Sequence, residues 1–471
     1  MTWQIDNYLT IRDGRLHIDG HDAAALAREH GTPLFVYSEP RIRHNIERVK
    51  SAGDHITVPL KLCYAAKAMS TMGILRAIKD AECDLEVNSG GELWKALKAG
   101  FAGDRINFNG SSKEVWELEM AIESGIFAIQ VDSLYELSLI EETARRLGKR
   151  ANVSLRLVPE IESATHSGLQ TALLTSKFGM MPDEAFEAFA KYKHSQHLNL
   201  VGIHLHIGSQ NPDTSVYIQA FQEMFRAMLH IHRETGVRLE HINLGGGFPV
   251  NYLRDRSQAG EFPAPQREMF EAEFSPADAI RDAWVAVRTD AERENALDLL
   301  ESITLVLEPG RSIIADAGLC LTTVRNIKRR PINESEIANR KSKIENWILT
   351  DAGFNLLLSM ETYKWYYHLI SADRAGQPHN REYKVAGPLC DGGDVYFDIE
   401  GHGRLPDHRL LPDAVTPGEV LALLNCGAYS LSQASQYNAR FLPPVVLTKI
   451  DGSIELIRRR DNFEDLVASD L

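Results

Sequence analysis

Residues 62–110 read LCYAAKAMSTMGILRAIKDAECDLEVNSGGELWKALKAGFAGDRINFNG. Short β-rich apolar runs (Leu62–Ala66, Asp84–Val87, Ile106–Phe108) alternate here with amphipathic helical segments, Gly73–Ala81 and Glu92–Ala99. Parallel strands need crossovers of a dozen or more residues, and each interval is long enough to supply one. The rhythm continues through Ala128–Val131, Val153–Val158, Leu200–His206, Ile242–Leu244 and Ile303–Leu307. Helical patterns lie between, at Glu114–Glu123, Leu134–Leu147, Glu184–Tyr192 and Tyr217–Thr235. Eight such units predict an α/β fold built on a closed (β/α)8 barrel. A doubly wound open sheet is the alternative, because periodicity does not show closure.

In a barrel of this kind chemistry gathers at the C-terminal ends of the strands. Those ends carry Lys67, Ser89-Gly90-Gly91, Asn109-Gly110, Asp132, Arg156, His206, Gly245-Gly246-Gly247 and Glu308. Polar or glycine residues close nearly every run, the pattern of one shared rim.

After Arg311 the pattern changes to short, turn-punctuated β segments: Gly318–Ile327, Trp347–Leu349, Lys384–Ala386, Glu419–Leu424 and Val445–Ile450. Leu447–Ile457 reads as a hairpin with Asp451-Gly452 as a type I′ turn. The expected division is a barrel at 37–311 and an all-β domain from 1–36 and 312–471 that contributes to the active site. Residues 250–273 read as a loop inserted after the seventh strand, and Lys328–Lys343 as a solvated hairpin interrupted by Glu334 and Glu336.

The 471 residues carry a net charge of −14, which argues against a nucleic-acid binder. No apolar run approaches the roughly 20 residues of a membrane span. The opening Met-Thr-Trp-Gln-Ile-Asp has neither a basic n-region nor an apolar h-region, so secretion is not expected. Five cysteines (63, 83, 320, 390, 426) are scattered and form no CxxC, which fits a reducing cytoplasm.

Individual motifs carry two readings each. Lys67, in Tyr64-Ala65-Ala66-Lys67-Ala68, suits Schiff-base chemistry if desolvated, or is a surface lysine. Gly245-Gly246-Gly247 lets backbone N–H groups approach an anion, or is a plain loop. Glu308-Pro309-Gly310-Arg311 offers a carboxylate to a cofactor's ring nitrogen, or holds a structural Glu–Arg pair. His204 and His206 stand two residues apart, a spacing open to metal; with no supporting ligand cluster, a ring stacked on a planar cofactor is the better functional reading. Cys390, flanked by glycines and acids in Gly387–Asp394, suits a general acid or nucleophile, or is an inert thiol.

Taken together and in order, Tyr-Ala-x-Lys-Ala, Ser-Gly-Gly-Glu-Leu (89–93), His-Ile-Gly-Ser-Gln (206–210), Gly-Gly-Gly-Phe, Glu-Pro-Gly-Arg, Gly-Pro-Leu-Cys-Asp and Gly-Ala-Tyr (427–429) resemble the alanine-racemase-fold (type III) pyridoxal-phosphate decarboxylases. Diaminopimelate and ornithine decarboxylases belong to that group, and the resemblance spans roughly residues 33–460. It implies an amino-acid decarboxylase that uses pyridoxal 5′-phosphate, with Lys67 holding the cofactor covalently and His206 stacked on its ring. Ser209, Gly245, Gly246, Gly247, Gly310, Arg311 and Tyr429 would hold the phosphate, and Glu308 would pair with the ring nitrogen. Cys390, from the partner subunit of a homodimer with shared sites, would supply a proton after CO2 leaves. Asp391, with Arg311 and Tyr429, would contact the substrate, and no metal is called for.

The substrate reading departs from diaminopimelate decarboxylase. Those enzymes carry an Arg-Pro-x-x-Tyr element soon after Asp-Ala-Gly, but here no arginine stands between Asp351 and Lys364. Their distal glutamate is shortened to Asp391. Bidentate Arg–carboxylate pairing is not easily replaced. Ser163–His166, Tyr363–Tyr367, Cys390–Asp394 and Leu456–Asp461 look more like D-ornithine/D-lysine decarboxylases and siderophore or natural-product enzymes. Lys177-Phe178-Gly179 looks like diaminopimelate decarboxylase. The expectation is therefore D-lysine, D-ornithine or a siderophore-type intermediate as substrate. The alternatives are genuine meso-diaminopimelate decarboxylation, then a racemase or a non-catalytic pyridoxal-phosphate protein.

Overall fold

The computed structural model describes residues 3–158, 177–331 and 344–471. The chain forms two compact units. One comprises Arg43–Pro249 and Ala272–Ile313; the other comprises Met1–Ile42, Val250–Glu271 and Ile314–Leu471.

In the first unit the eight apolar runs are eight parallel strands: Leu60–Ala65, Asp84–Val87, Ile106–Phe108, Ala128–Val131, Ala151–Arg156, Leu198–His204, His241–Asn243 and Thr304–Leu307. The last pairs in parallel with the first, which closes the barrel and excludes the open sheet. The strands are buried almost throughout, as expected where helices cover the outside and side chains fill the inside. Local signals set the helix ends. Ser89 and Ser133 cap Gly90–Ala99 and Leu134–Leu147 by accepting from Glu92 N and Glu136 N. Gly100 and Gly148 close both helices in the left-handed region. In the Ser89-Gly90-Gly91-Glu92 motif Glu92 also reaches back past the cap, accepting from Asn88 N at 2.8 Å.

The second unit is built on a sheet whose central strand, Gly318–Pro331, pairs along its length with Leu34–Ser38, Val420–Leu423 and Ile344–Thr350. Its first half is buried and Arg325–Pro331 is exposed, so the charged stretch begins on a solvated strand. Residues 332–343 lie outside the described residues, as does Ser163–His166.

Two sequence readings change. The hairpin formed by Val445–Thr448 and Ile454–Arg458 does not turn through a type I′ pair. Gly452 is left-handed (φ +81°) but Asp451 is not. Gly452 N donates to Lys449 O (3.0 Å) and Lys449 N to Ser453 O (2.8 Å), which makes a three-residue loop with a bulge. Asp451 favours it by accepting from Ser453 N at 2.9 Å. The second change concerns 250–273. It carries the helix Ala264–Glu271, and Tyr252, Phe262 and Phe270 pack edge-to-face with Trp365 and Tyr366 inside the β-rich unit. Such ring pairs contribute about 0.5–1.5 kcal/mol each beyond area burial. No described helix is long and apolar enough to cross a membrane.

Candidate active site

The C-terminal rim of the barrel collects the polar residues that close its strands. At the centre is Glu308, just past the eighth strand and 5% exposed. Asn107 and Asn243 donate to its Oε1, and Asn109 donates to Oε2 at 2.8 Å. His204 Nε2 lies 3.5 Å from Oε2. Burial alone would raise the pKa of this carboxyl. The His204 imidazole and the amides of Asn243 and Asn109 outweigh it, and the net displacement is downward. Glu308 is therefore a buried carboxylate held in its charged form by neutral donors. The alternative of a Glu308–Arg311 pair does not describe these contacts: Arg311 Nε donates to Ser209 Oγ at 3.2 Å.

The network extends outward. Asn109 also donates to Glu86 Oε1 at 2.8 Å, and Gln130 donates to Asn107 at 2.8 Å. Glu86 Oε2, Asn109 Oδ1, Gln130 Oε1, Ser154 Oγ and His204 Nδ1 are buried without a hydrogen-bond partner. So many orphaned polar atoms in one barrel mark a place where a polar ligand sits. Burial pushes the Glu86 carboxyl up to about 7, with Lys67 opposing and Glu308 adding to the rise.

That displacement has a sign. Glu86 takes up a proton on folding between its ordinary value of 4.5 and about 7. Its stabilising contribution is complete below 4.5 and is lost as pH rises through 7. We expect Glu86→Gln in the cofactor-free protein to remove this dependence. Urea unfolding should show its stability relative to wild type improving by about 2 kcal/mol from pH 5 to pH 8. An unchanged difference would show that Glu86 is ionised throughout.

The glycine loop sits beside the carboxylate. Gly245 and Gly247 are left-handed (φ +65° and +94°). A Cβ on Gly246 would lie 2.4 Å from the Glu308 carbonyl oxygen, and one on Gly245 would lie 2.6 Å from His206 Nδ1. The loop therefore has to be glycine to approach both neighbours. Gly246 N donates to His206 Nδ1 at 3.4 Å, which ties the ring to the loop. Burial, then the Lys67 and Arg156 cations, pull the His206 imidazole well below the usual histidine range, so it is neutral. Arg156, at the end of the fifth strand and 7% exposed, packs over the Phe178 ring at 4.3 Å. Gly179 N is held by Asp132 Oδ1 at 2.9 Å, which gives Lys177-Phe178-Gly179 a structural role beside the rim.

Lys67, His206, Ser209, Gly245–Gly247, Glu308, Gly310 and Arg311 thus all belong to one rim of one unit. Cys390, Asp391 and Tyr429 belong to the β-rich unit, the first two on the loop after strand Arg381–Ala386. Cys390 is exposed, whereas Cys63, Cys83, Cys320 and Cys426 are buried. Burial raises the pKa of all four, Cys83 to about 12, and keeps them protonated.

A buried, ionised carboxylate, a glycine cradle with a serine and an arginine, a neutral imidazole and a strand-end lysine fit a phosphorylated pyridine aldehyde. Residues 41–315 match the sequence profile of the pyridoxal-dependent decarboxylases, pyridoxal binding domain. The chain belongs to this family. It is therefore a pyridoxal-phosphate-dependent amino-acid decarboxylase. It is 36% identical over 467 residues to the diaminopimelate decarboxylase of Methanocaldococcus jannaschii, covering 98% of this chain and 96% of that protein. It is 32% identical over 461 residues to that of Bacillus subtilis, covering 97% and 95%. The crystal structure of the M. jannaschii enzyme with L-lysine superimposes with a TM-score of 0.83 at 34% identity, covering 99% of this chain and 98% of that one.

Sequence reasoning passed over Asn107, Asn243 and Glu86. Their signal was available: a polar residue in the middle of a buried, otherwise apolar barrel strand has to be hydrogen-bonded to something inside.

Proposed function

We propose that this decarboxylase acts on meso-diaminopimelate, releasing the carboxylate of one amino-acid centre as CO2. Relatives named for that activity match almost the whole chain in sequence and in fold, which favours this reading over D-lysine or D-ornithine. The single observation that carries the chemistry is Glu308, a buried carboxylate kept ionised by three amides. It is poised to pair with a protonated ring nitrogen.

Bound pyridoxal phosphate supplies the electron sink for the pair left on Cα when the carboxylate departs. Lys67 would hold the cofactor covalently, and Glu308 would keep a proton on its ring nitrogen. His206, neutral and tied to the glycine loop by Gly246, would pack on the ring. Ser209, Gly245–Gly247, Gly310 and Arg311 would hold the phosphate, with Tyr429 as the family resemblance implies. Cys390 would supply its Sγ proton to Cα, and Asp391, with Arg311 and Tyr429, would orient the substrate. In this reading Cys390 and Asp391 would come from the second subunit of a homodimer.

One observation supports a second reading. In place of the arginine expected after Asp351, the stretch holds the helix Leu358–Thr362, where Ser359 Oγ donates to Gln433 at 3.3 Å. A site without that arginine suits a substrate without a distal carboxylate. CO2 release across meso-diaminopimelate, D-lysine, D-ornithine and siderophore-type conjugates decides between the two. The expected result is the highest kcat/KM with meso-diaminopimelate. Faster turnover of D-lysine, D-ornithine or a conjugate would establish the second reading instead.

A further inference from the structure

The loop that carries Cys390 and Asp391 exposes both side chains, yet its backbone is pinned on both flanks. On one side Asp394 accepts from Leu389 N and Phe354 N, each at 2.8 Å, and Gly387 N donates to Asp394 O at 2.9 Å. On the other side stands the turn Tyr437–Arg440. Asn438 Oδ1 accepts from the Cys390 N–H itself at 2.7 Å. Arg440 Nη2 donates to Pro388 O at 3.0 Å. The Tyr437 ring stacks on Phe354, 5.9 Å between centroids and 20° between planes.

This turn is strained. Asn438 and Ala439 are consecutive left-handed residues, both with φ +54°. Asparagine tolerates that conformation, but alanine adopts it reluctantly. Two such residues in a row persist only where surrounding contacts over-determine them, and such strain gathers at functional sites. The contacts that hold it are the Asn438 bond to the Cys390 amide, the Arg440 bond to Pro388 O and the Tyr437 stack on Phe354.

We infer that Asn438 is a positioning residue: through its bond to the Cys390 amide it holds the thiol in the orientation from which it delivers its proton. The inference rests on the reading of Cys390 as proton donor. Arg440 and Asp394 hold the neighbouring residues, and Asn438 makes the hydrogen bond to the Cys390 amide itself.

The test separates the hydrogen bond from the backbone strain. Asn438→Gly keeps the left-handed conformation at no steric cost and removes only the acceptor. Asn438→Asp keeps both. In the holoenzyme, Asn438→Gly should lower kcat about tenfold with KM changed less than about threefold, the pattern of a lost interaction that matters only in the reaction. Asn438→Asp should recover most of that loss. An independent readout is the iodoacetamide labelling rate of Cys390 followed by peptide mass spectrometry. It should change several-fold in Asn438→Gly and stay near wild type in Asn438→Asp. Cys390→Ala provides the reference. Undiminished turnover in Cys390→Ala would overturn the proton-donor reading. A slow Cys390→Ala beside an Asn438→Gly variant with wild-type kcat and labelling would overturn the positioning role alone.

Discussion

Lys67→Ala should abolish both turnover and the absorbance band of the lysine-bound cofactor. Lys67 follows the first barrel strand, and its charge is felt by Glu86, His204 and His206. Without a covalent anchor the aldehyde has to exchange onto substrate from solution, and the reaction loses its covalent and positional advantage together. A fall in kcat/KM of about 10⁴-fold or more is expected. The fold should survive, because alanine at this position leaves the Asn107–Asn109–Asn243–Glu308 network intact. Reduction of the wild-type holoenzyme with borohydride, followed by peptide mass spectrometry, should place the cofactor on Lys67. A label on a different lysine, or an undiminished band in the variant, would remove Lys67 from this role.

Glu308→Gln carries the second large effect. The substitution keeps size and some hydrogen bonding but removes the negative charge. It also sets a donor among donors: Asn107, Asn109 and Asn243 all present N–H groups to the present carboxylate. A neutral amide cannot keep a proton on a pyridine nitrogen, so the electron sink weakens just when charge develops. Removing a preorganised electrostatic partner of this kind lowers kcat by about 10²–10³-fold. Steady-state kinetics with the holoenzyme measures it. A loss under threefold would show that Glu308 serves structure alone.

These predictions rest on residues of differing legibility. The strands were readable because apolar runs, crossover lengths and caps are local properties, and both ends of all eight strands lie within two residues of the sequence reading. Lys67, His206, Gly245–Gly247 and Glu308 were readable because each closes a strand or forms a glycine loop, whereas the roles given to Ser209, Gly310, Arg311 and Tyr429 came from the family resemblance. The ring around Glu308 was not. Asn107 and Asn109 stand 201 and 199 residues from Glu308, and a single polar residue in an apolar strand does not name its partner. The Asp451–Gly452 turn was misjudged because both turn types accept Asp-Gly, and the choice depends on the flanking strand register. Residues 250–273 read as an inserted loop because their aromatic residues bury against Trp365 and Tyr366, more than 90 residues downstream.

The amino-acid sequence by itself determined the alternation of strand and helix, the change to β structure after Arg311, and the strand-end positions of Lys67, His206 and Glu308. Those depend on side-chain period and on turn chemistry, which act over a few residues. Tertiary structure alone decided that the sheet closes and that Glu308 stays charged. It also decided that Asn438 meets the Cys390 amide. Closure requires the first and last strands to pair across more than 240 residues of chain. A buried charge is set by every donor brought to it through space, and that set exists only once the chain has folded.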